Sequence, residues 1–156
     1  MTRLKSFLAT VALAAPLAAA CSATPTTDNL ETETPTTEST TMITLEANGH
    51  ILTAALEDNS SADALRDLLE KGPVVVDAHD YGNQEKVGSL PAQLPRNDEP
   101  TDAQPGDLIL YQGNQFVIYY APNSWPFTRL GRIEGVDATE LKEILGPDGV
   151  SVTLSL

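Results

Sequence analysis

Beyond residue 41, apolar and polar side chains alternate along most of the chain. Met42 to Ala47 and Ile51 to Glu57 alternate on either side of Asn48-Gly49. A two-residue type I′ turn needs positive φ at both central residues, so Asn-Gly predicts a hairpin here. Ala62, Leu65, Leu68 and Leu69 then recur at helical spacing. Ser60 is placed to cap that helix, Asp63 sits in its first turn, and Gly72-Pro73 stops it. Val74-Val75-Val76 is a β-branched run suited to a buried strand. Asp107 to Gln112 and Gln115 to Ala121 predict a second hairpin around Gly113-Asn114, and Phe127 to Ile133 predicts a further strand. Asp137 and Glu140 form a capping box ahead of Leu141, Ile144 and Leu145, with Gly146-Pro147 as the stop. Val150, Val152, Leu154 and Leu156 share one face of a last strand. Gly88 to Gly106, with Pro91, Pro95, Pro100 and Pro105, reads as loop. Seven or eight strands and two short helices, with no βαβ rhythm, predict a mainly β fold. A closed antiparallel β-barrel of about eight strands, plugged by the helices, fits best.

The first forty residues follow another pattern. Arg3 and Lys5 precede an uncharged apolar stretch that starts at Phe7 and ends at Pro16. An apolar run of about 15 residues is too short to span roughly 30 Å of hydrocarbon, so it reads as an export signal. Leu17-Ala18-Ala19-Ala20-Cys21 resembles a bacterial lipobox. An ordinary A-x-A cleavage site before a chance Cys is the plain alternative. The lipobox resemblance implies cleavage before Cys21 and acylation of it, palmitate included, as the lipid anchor. It implies an extracytoplasmic protein held on the bacterial cell membrane. Ser22 stands where inner-membrane retention uses Asp, which implies the outer membrane if the organism has one. Two acyl chains suffice for stable anchoring. Residues 22 to 41 hold one large apolar residue, Leu30. That is too little to offset chain entropy, so a disordered tether is expected. The expected divisions are a signal at 1–20, a tether at 21–41 and a folded domain at 42–156.

Charge sharpens this division. The chain has 22 acidic and 9 basic residues, a net of -13. The signal carries two of the bases and the tether four of the acids, which leaves 18 acids and 7 bases, net -11, in residues 42 to 156. No cluster of Lys or Arg exists to neutralise phosphates, so nucleic acid is excluded as a partner. The same field disfavours direct docking on anionic lipid, so the N-terminal lipid would be the sole membrane contact. One Cys and two His exclude a disulfide framework and a Cys-rich zinc site.

Six of the seven aromatics beyond the signal fall within residues 111 to 127. Tyr119 and Tyr120 are adjacent, so a strand places them on opposite faces. Asn123-Ser124-Trp125-Pro126 reads as a turn that exposes part of Trp125. This points to an aromatic groove for a peptide or small apolar ligand, against plain core packing. Arg129 and Arg132, three apart, are expected on opposite faces, one lining the pocket or tied in a structural ion pair. Asp77 and His79 share a face with too few partners for a metal, which takes three or more ligands. They read as a strand ending in the polar turn Tyr81-Gly82-Asn83. No G-x-S-x-G elbow is present, and Cys21 lies outside the domain, so nothing points to a hydrolase.

The motifs run in a recognisable order: the Asn48-Gly49 hairpin, the capped helix, Asp80-Tyr81, Glu85-Lys86 and Leu90-Pro91. Gly106-Asp107-Leu108, Gly113-Asn114, Tyr119-Tyr120 and Leu130-Gly131-Arg132-Ile133 follow. The set resembles the bacterial cyclophilin-like family of small proteins and covers residues 42 to 156. The resemblance implies an eight-stranded cyclophilin-type barrel closed by two helices, and it is the reason to consider Glu85-Lys86 as a ligand contact or ion pair. It implies no defined activity. True cyclophilins are peptidyl-prolyl isomerases that use an Arg beside a Phe-lined pocket. Their Phe-His-Arg segment and Gly-Phe-Met-x-Gln-Gly-Gly strand are missing here, so no catalytic residue is carried over. The expectation is a monomeric, lipid-anchored, non-catalytic binder of an extracytoplasmic peptide, protein or small ligand. Tyr81, Glu85, Tyr119, Tyr120, Trp125, Phe127 and Arg129 are its candidate contacts, without metal or cofactor. A diverged prolyl isomerase or envelope folding helper is the rival, and a purely structural envelope protein is the third reading.

Overall fold

The computed structural model describes residues 40–156. The expected signal, the Cys21 anchor and nearly all of the expected tether lie outside the described residues. Among these, nine strands and two helices follow in order. They are β1 (Met42–Ala47), β2 (His50–Leu56), α1 (Ser60–Leu69), β3 (Val74–Tyr81), β4 (Glu85–Ser89) and β5 (Glu99–Ala103). Then come β6 (Asp107–Tyr111), β7 (Gln115–Tyr119), β8 (Asn123–Ile133), α2 (Ala138–Leu145) and β9 (Val150–Ser155).

All pairings are antiparallel, in the order β2-β1-β9-β3-β4-β7-β6-β8. β8 pairs back onto β2, which turns these eight strands into a closed ring. The mainly β class with two short helices and a closed antiparallel sheet is therefore present. Closure leaves no bare edge among the eight. The seam depends on a glycine. Gly131 faces Leu56 across it, and a Cβ there would lie 2.3 Å from the Ala55 carbonyl oxygen.

Alternation fills the ring. Ile43, Leu45, Val76, Leu108, Leu110, Phe116, Ile118, Val152 and Leu154 point inward and are buried. Leu65 and Leu69 of α1 and Leu141 and Leu145 of α2 join them from the helices. Each fully buried Leu or Ile contributes about 1.5–3 kcal/mol, so this interior dominates stability. Asp137 caps α2 as expected, accepting from the Thr139 and Glu140 amides at 2.8 and 2.9 Å. α1 is capped by Asn59, one residue before the expected Ser60, through 3.0 Å bonds from the Ser61 and Ala62 amides. Asn and Ser cap about equally well, so Asn59 fills the role expected of Ser60.

Two strands lie outside the expected set. β4 hides its alternation because its inward positions are Lys86 and Gly88 rather than large apolar residues. β5, Glu-Pro-Thr-Asp-Ala, pairs only with β8, outside the ring. On such an edge a proline loses no ladder bond, and Pro100 sits opposite Pro126. Asn123 to Pro126 is accordingly strand, not turn. The second hairpin turns one residue earlier than expected, with positive φ at Gln112 and Gly113.

The first half of β8 and all of β5 form an arm. Ala103 and Phe127 from the arm pack with Ile109, Val117 and Tyr119 in a second small cluster. Those three are the odd-numbered neighbours of inward-facing Leu108, Leu110, Phe116 and Ile118. The second cluster therefore lies on the outer face of the ring, and the arm covers part of that face.

Candidate functional site

The outer face of β3, β4 and β7 brings separate residues into rows. Tyr81 stands opposite Glu85, and Glu85 opposite Tyr119. In the next row His79 faces Val87, and Val87 faces Val117. Side chains directly opposite each other have Cβ atoms about 4.5–5.5 Å apart, so each row is a contiguous surface. Tyr111 and Gln115 extend that surface, and the arm lays Asn123, Trp125 and Phe127 beside it. Together these residues line a pocket of about 510 Å³. That size suits a small ligand or one anchoring side chain.

The floor is ordered by aromatic contacts. The Phe127 ring centroid lies 5.6 Å from that of Tyr119 and 6.4 Å from that of Tyr111, the latter pair edge-on at 75°. The Tyr119 hydroxyl accepts from Asn123 Nδ2 at 3.0 Å. Tyr119 and Phe127 are buried, whereas Trp125 and Tyr81 stand at the rim, 61% and 65% exposed. Glu85 is the only formally charged group in the lining apart from the titratable His79. Its Oε2 is buried and finds no donor within the described residues. Burial pushes the Glu85 carboxyl above its ordinary value, with the neighbouring Tyr119 hydroxyl pulling the other way. Burial, followed by the Glu85 carboxylate, raises the Tyr119 hydroxyl in turn, so Tyr119 keeps its proton.

Of the seven residues singled out from the sequence, the structure brings five together here: Tyr81, Glu85, Tyr119, Trp125 and Phe127. Tyr120 faces into the ring, as its adjacency to Tyr119 requires. There its hydroxyl donates to Asp80 Oδ1 in a short bond. Lys86 lies beside it with no exposed surface. Its Nζ donates to Asp80 Oδ1 at 3.1 Å and to the Asp148 carbonyl at 2.6 Å, and sits 5.9 Å from the Tyr120 ring centroid. Asp80 is held below its ordinary value, first by the Tyr120 hydroxyl and then, against its own desolvation, by Lys86.

Arg129 is also elsewhere. Arg129 and Arg132 both reach the buried Asp107 carboxylate, at 3.1 and 2.9 Å. The expectation that a spacing of three puts them on opposite faces fails for a local reason. Ile109 pairs with Arg129 but Leu108 pairs with Gly131, so Leu130 is an extra, bulged residue. The bulge resets the alternation and returns both guanidiniums to one side. Sequence reasoning had set His79 aside, weighed Tyr111 only among the aromatics, and missed Gln115. Their alternation with the inner-face residues was the available signal. Asp80 turns inward, away from Asp77 and His79. Among the described residues no group of three or more His, Cys, Asp or Glu gathers as a metal would need.

Another cavity, about 610 Å³, lies between α1, β2 and residues 40 and 41. Its two cations are already engaged, Arg66 with Asp63 at 3.1 Å and Arg132 with Asp107. No aromatic ring lines it. The aromatic pocket is therefore the better candidate.

A model of the cyclophilin-like family matches residues 45–155, from within β1 to the end of β9. The chain belongs to the cyclophilin-like family. The solved structure of McbB in complex with tryptophan is similar to this cyclophilin-like chain, with a TM-score of 0.55 and 19% sequence identity. The match covers 72% of this chain and 44% of that one, so the chain spans under half the length of that protein. The likeness is one of fold. No curated protein matches the sequence. In this cyclophilin-like ring, the candidate pocket sits on the outer wall between β3, β4, β7 and the β5–β8 arm.

Proposed function

We propose that the protein is a membrane-anchored extracytoplasmic lipoprotein whose cyclophilin-like domain binds a small molecule or peptide side chain without transforming it. The observation that carries the binding part is the outer-wall pocket. Five aromatic rings and one carboxylate converge there from five strands, with the Tyr81 and Trp125 rings largely exposed at its rim. Exposed aromatics around a concave site are an arrangement for recognition rather than for core packing. The lining contains no guanidinium to stabilise a twisted prolyl amide, and Arg129 is committed to Asp107. The anchor rests on the sequence around Cys21. The domain's net charge of -11 would hold it off anionic headgroups, leaving attachment to the acyl chains.

Thermal denaturation of the full chain against small aromatic compounds and short peptides tests the binding reading. A ligand at a hundred times its Kd stabilises by about 2.7 kcal/mol, a shift of several degrees. The shift should vanish in Trp125→Ala. A prolyl-peptide isomerisation assay should show no acceleration, and acceleration abolished by Arg129→Ala would overturn the non-catalytic reading. Mass spectrometry of the mature N-terminus should find acyl chains on Cys21, and an unmodified Cys21 would refute the anchor.

A further inference from the structure

We propose that the outer-wall pocket selects an organic ammonium ion, with its charged head on Glu85 and its apolar body on Tyr81, Tyr119, Trp125 and Phe127. The inference rests on the binding reading above and adds the charge class of the ligand. Glu85 Oε2 is buried at the pocket with no hydrogen bond of its own, and the Tyr119 hydroxyl is the one neighbour that bears on the carboxylate. No Lys or Arg stands in the lining. The basic groups nearest in sequence and fold are engaged elsewhere, Lys86 with Asp80 and the Asp148 carbonyl, Arg129 and Arg132 with Asp107, although Arg129 Nε is buried without a partner.

Three ligand classes can be weighed against this setting. An anion would meet the Glu85 carboxylate inside a domain of 18 acids and 7 bases. A neutral ligand brings no charge to the Glu85 carboxylate, and a hydrogen bond from a neutral donor is roughly half as strong as one between ions. An ammonium ion supplies the missing donor and is attracted by the faces of the surrounding rings. Electrostatic steering by the net charge of -11 favours the same sign. The shared chemistry is an ammonium on an apolar stem, whether from a free amine or from a lysine side chain.

Isothermal calorimetry on the full chain with three matched probes tests this. Phenethylammonium, 2-phenylethanol and 3-phenylpropanoate present the same ring with positive, neutral and negative heads. The expected order is ammonium, alcohol, carboxylate, with at least tenfold between the first two. Glu85→Gln should weaken phenethylammonium by about ten- to hundredfold and leave 2-phenylethanol unchanged. Glu46→Gln, which removes the same charge from an exposed position on β1, should change neither. Tighter binding of a capped Ala-Lys-Ala tripeptide than of phenethylammonium would carry the inference and name lysine as the source. If the alcohol binds as tightly as the ammonium, or the carboxylate tighter, the cation inference falls while the pocket reading stands. If no probe binds at millimolar concentration, both fall. The wild-type preference among heads needs no variant, so it decides even if Glu85→Gln folds poorly.

Discussion

The two faces of β4 and β7 carry matching residues in opposite settings. Glu85 and Tyr119 stand on the outer face, Lys86 on the inner face, and Tyr120, just past β7, also turns inward. Inside, the Lys86 ammonium is fully buried and met: it reaches Asp80 and the Asp148 carbonyl, and Asp80, itself partly exposed, also accepts from Tyr120 and the Asn83 amide. Outside, Glu85 keeps a buried oxygen with no donor beside an open aromatic pocket. Breaking a satisfied buried pair is costly, because removing one partner leaves the other uncompensated. An unsatisfied group at an open site costs the folded state something unless solvent or a bound molecule completes it. The same alternation that builds the ring thus separates a face whose charges are met from the face that carries the candidate pocket.

The largest effect should come from breaking the inner face. Asp80→Ala leaves the buried Lys86 ammonium without its counter-charge, held by the Asp148 carbonyl alone, and should cost about 3 kcal/mol in urea unfolding, with ligand affinity in the surviving folded fraction unchanged. Gly88→Ala should cost about 1–3 kcal/mol, since overpacking a tight site strains its neighbours. Its Cβ would meet Val76 Cγ1 at 2.5 Å and the Asp77 carbonyl oxygen at 2.7 Å. Substitutions on the outer face should reverse the pattern. Trp125→Ala should move stability by no more than about 0.5 kcal/mol, as exposed positions do, while lowering affinity for the pocket's ligand at least about tenfold.

The smallest effect is in the pH dependence of stability, where the two faces have opposite signs. Glu85 is raised above its ordinary 4.5, so the fold prefers its protonated form. Its contribution should improve as pH falls through that raised value toward 4.5. Asp80 is lowered below 3.8, so its stabilisation is present above 3.8 and lost as pH falls through its depressed folded-state value. Urea midpoints followed from neutral to acid pH should lose the first contribution in Glu85→Gln and keep the second.

Much of the ring was legible because period-two alternation and turn chemistry are local. The Asn48-Gly49 hairpin, the Asp137 cap and the strand Val150 to Ser155 needed no tertiary information. β4 and β5 were illegible because their signals are tertiary. Lys86 looks exposed until Asp80 and Asp148 are seen around it, and Pro100 looks like a loop residue until β5 is seen to be an edge. The candidate site was half legible. Crowding of aromatics in 111 to 127 marked Tyr119, Trp125 and Phe127, but only the pairing Tyr81–Glu85–Tyr119 shows why β3 and β4 contribute. The ion-pair alternative for Arg129 and Arg132 holds, but their placement on opposite faces fails because a one-residue bulge cannot be read from alternation.

Trp125 is the only tryptophan in the chain and stands at the pocket rim. Its fluorescence therefore reports on the outer face directly. Titration with phenethylammonium, which has no indole, should shift Trp125 emission to shorter wavelength and saturate at the calorimetric Kd. Calorimetric binding with unchanged Trp125 emission would place the ligand elsewhere and contradict the assignment of the outer face as the binding face.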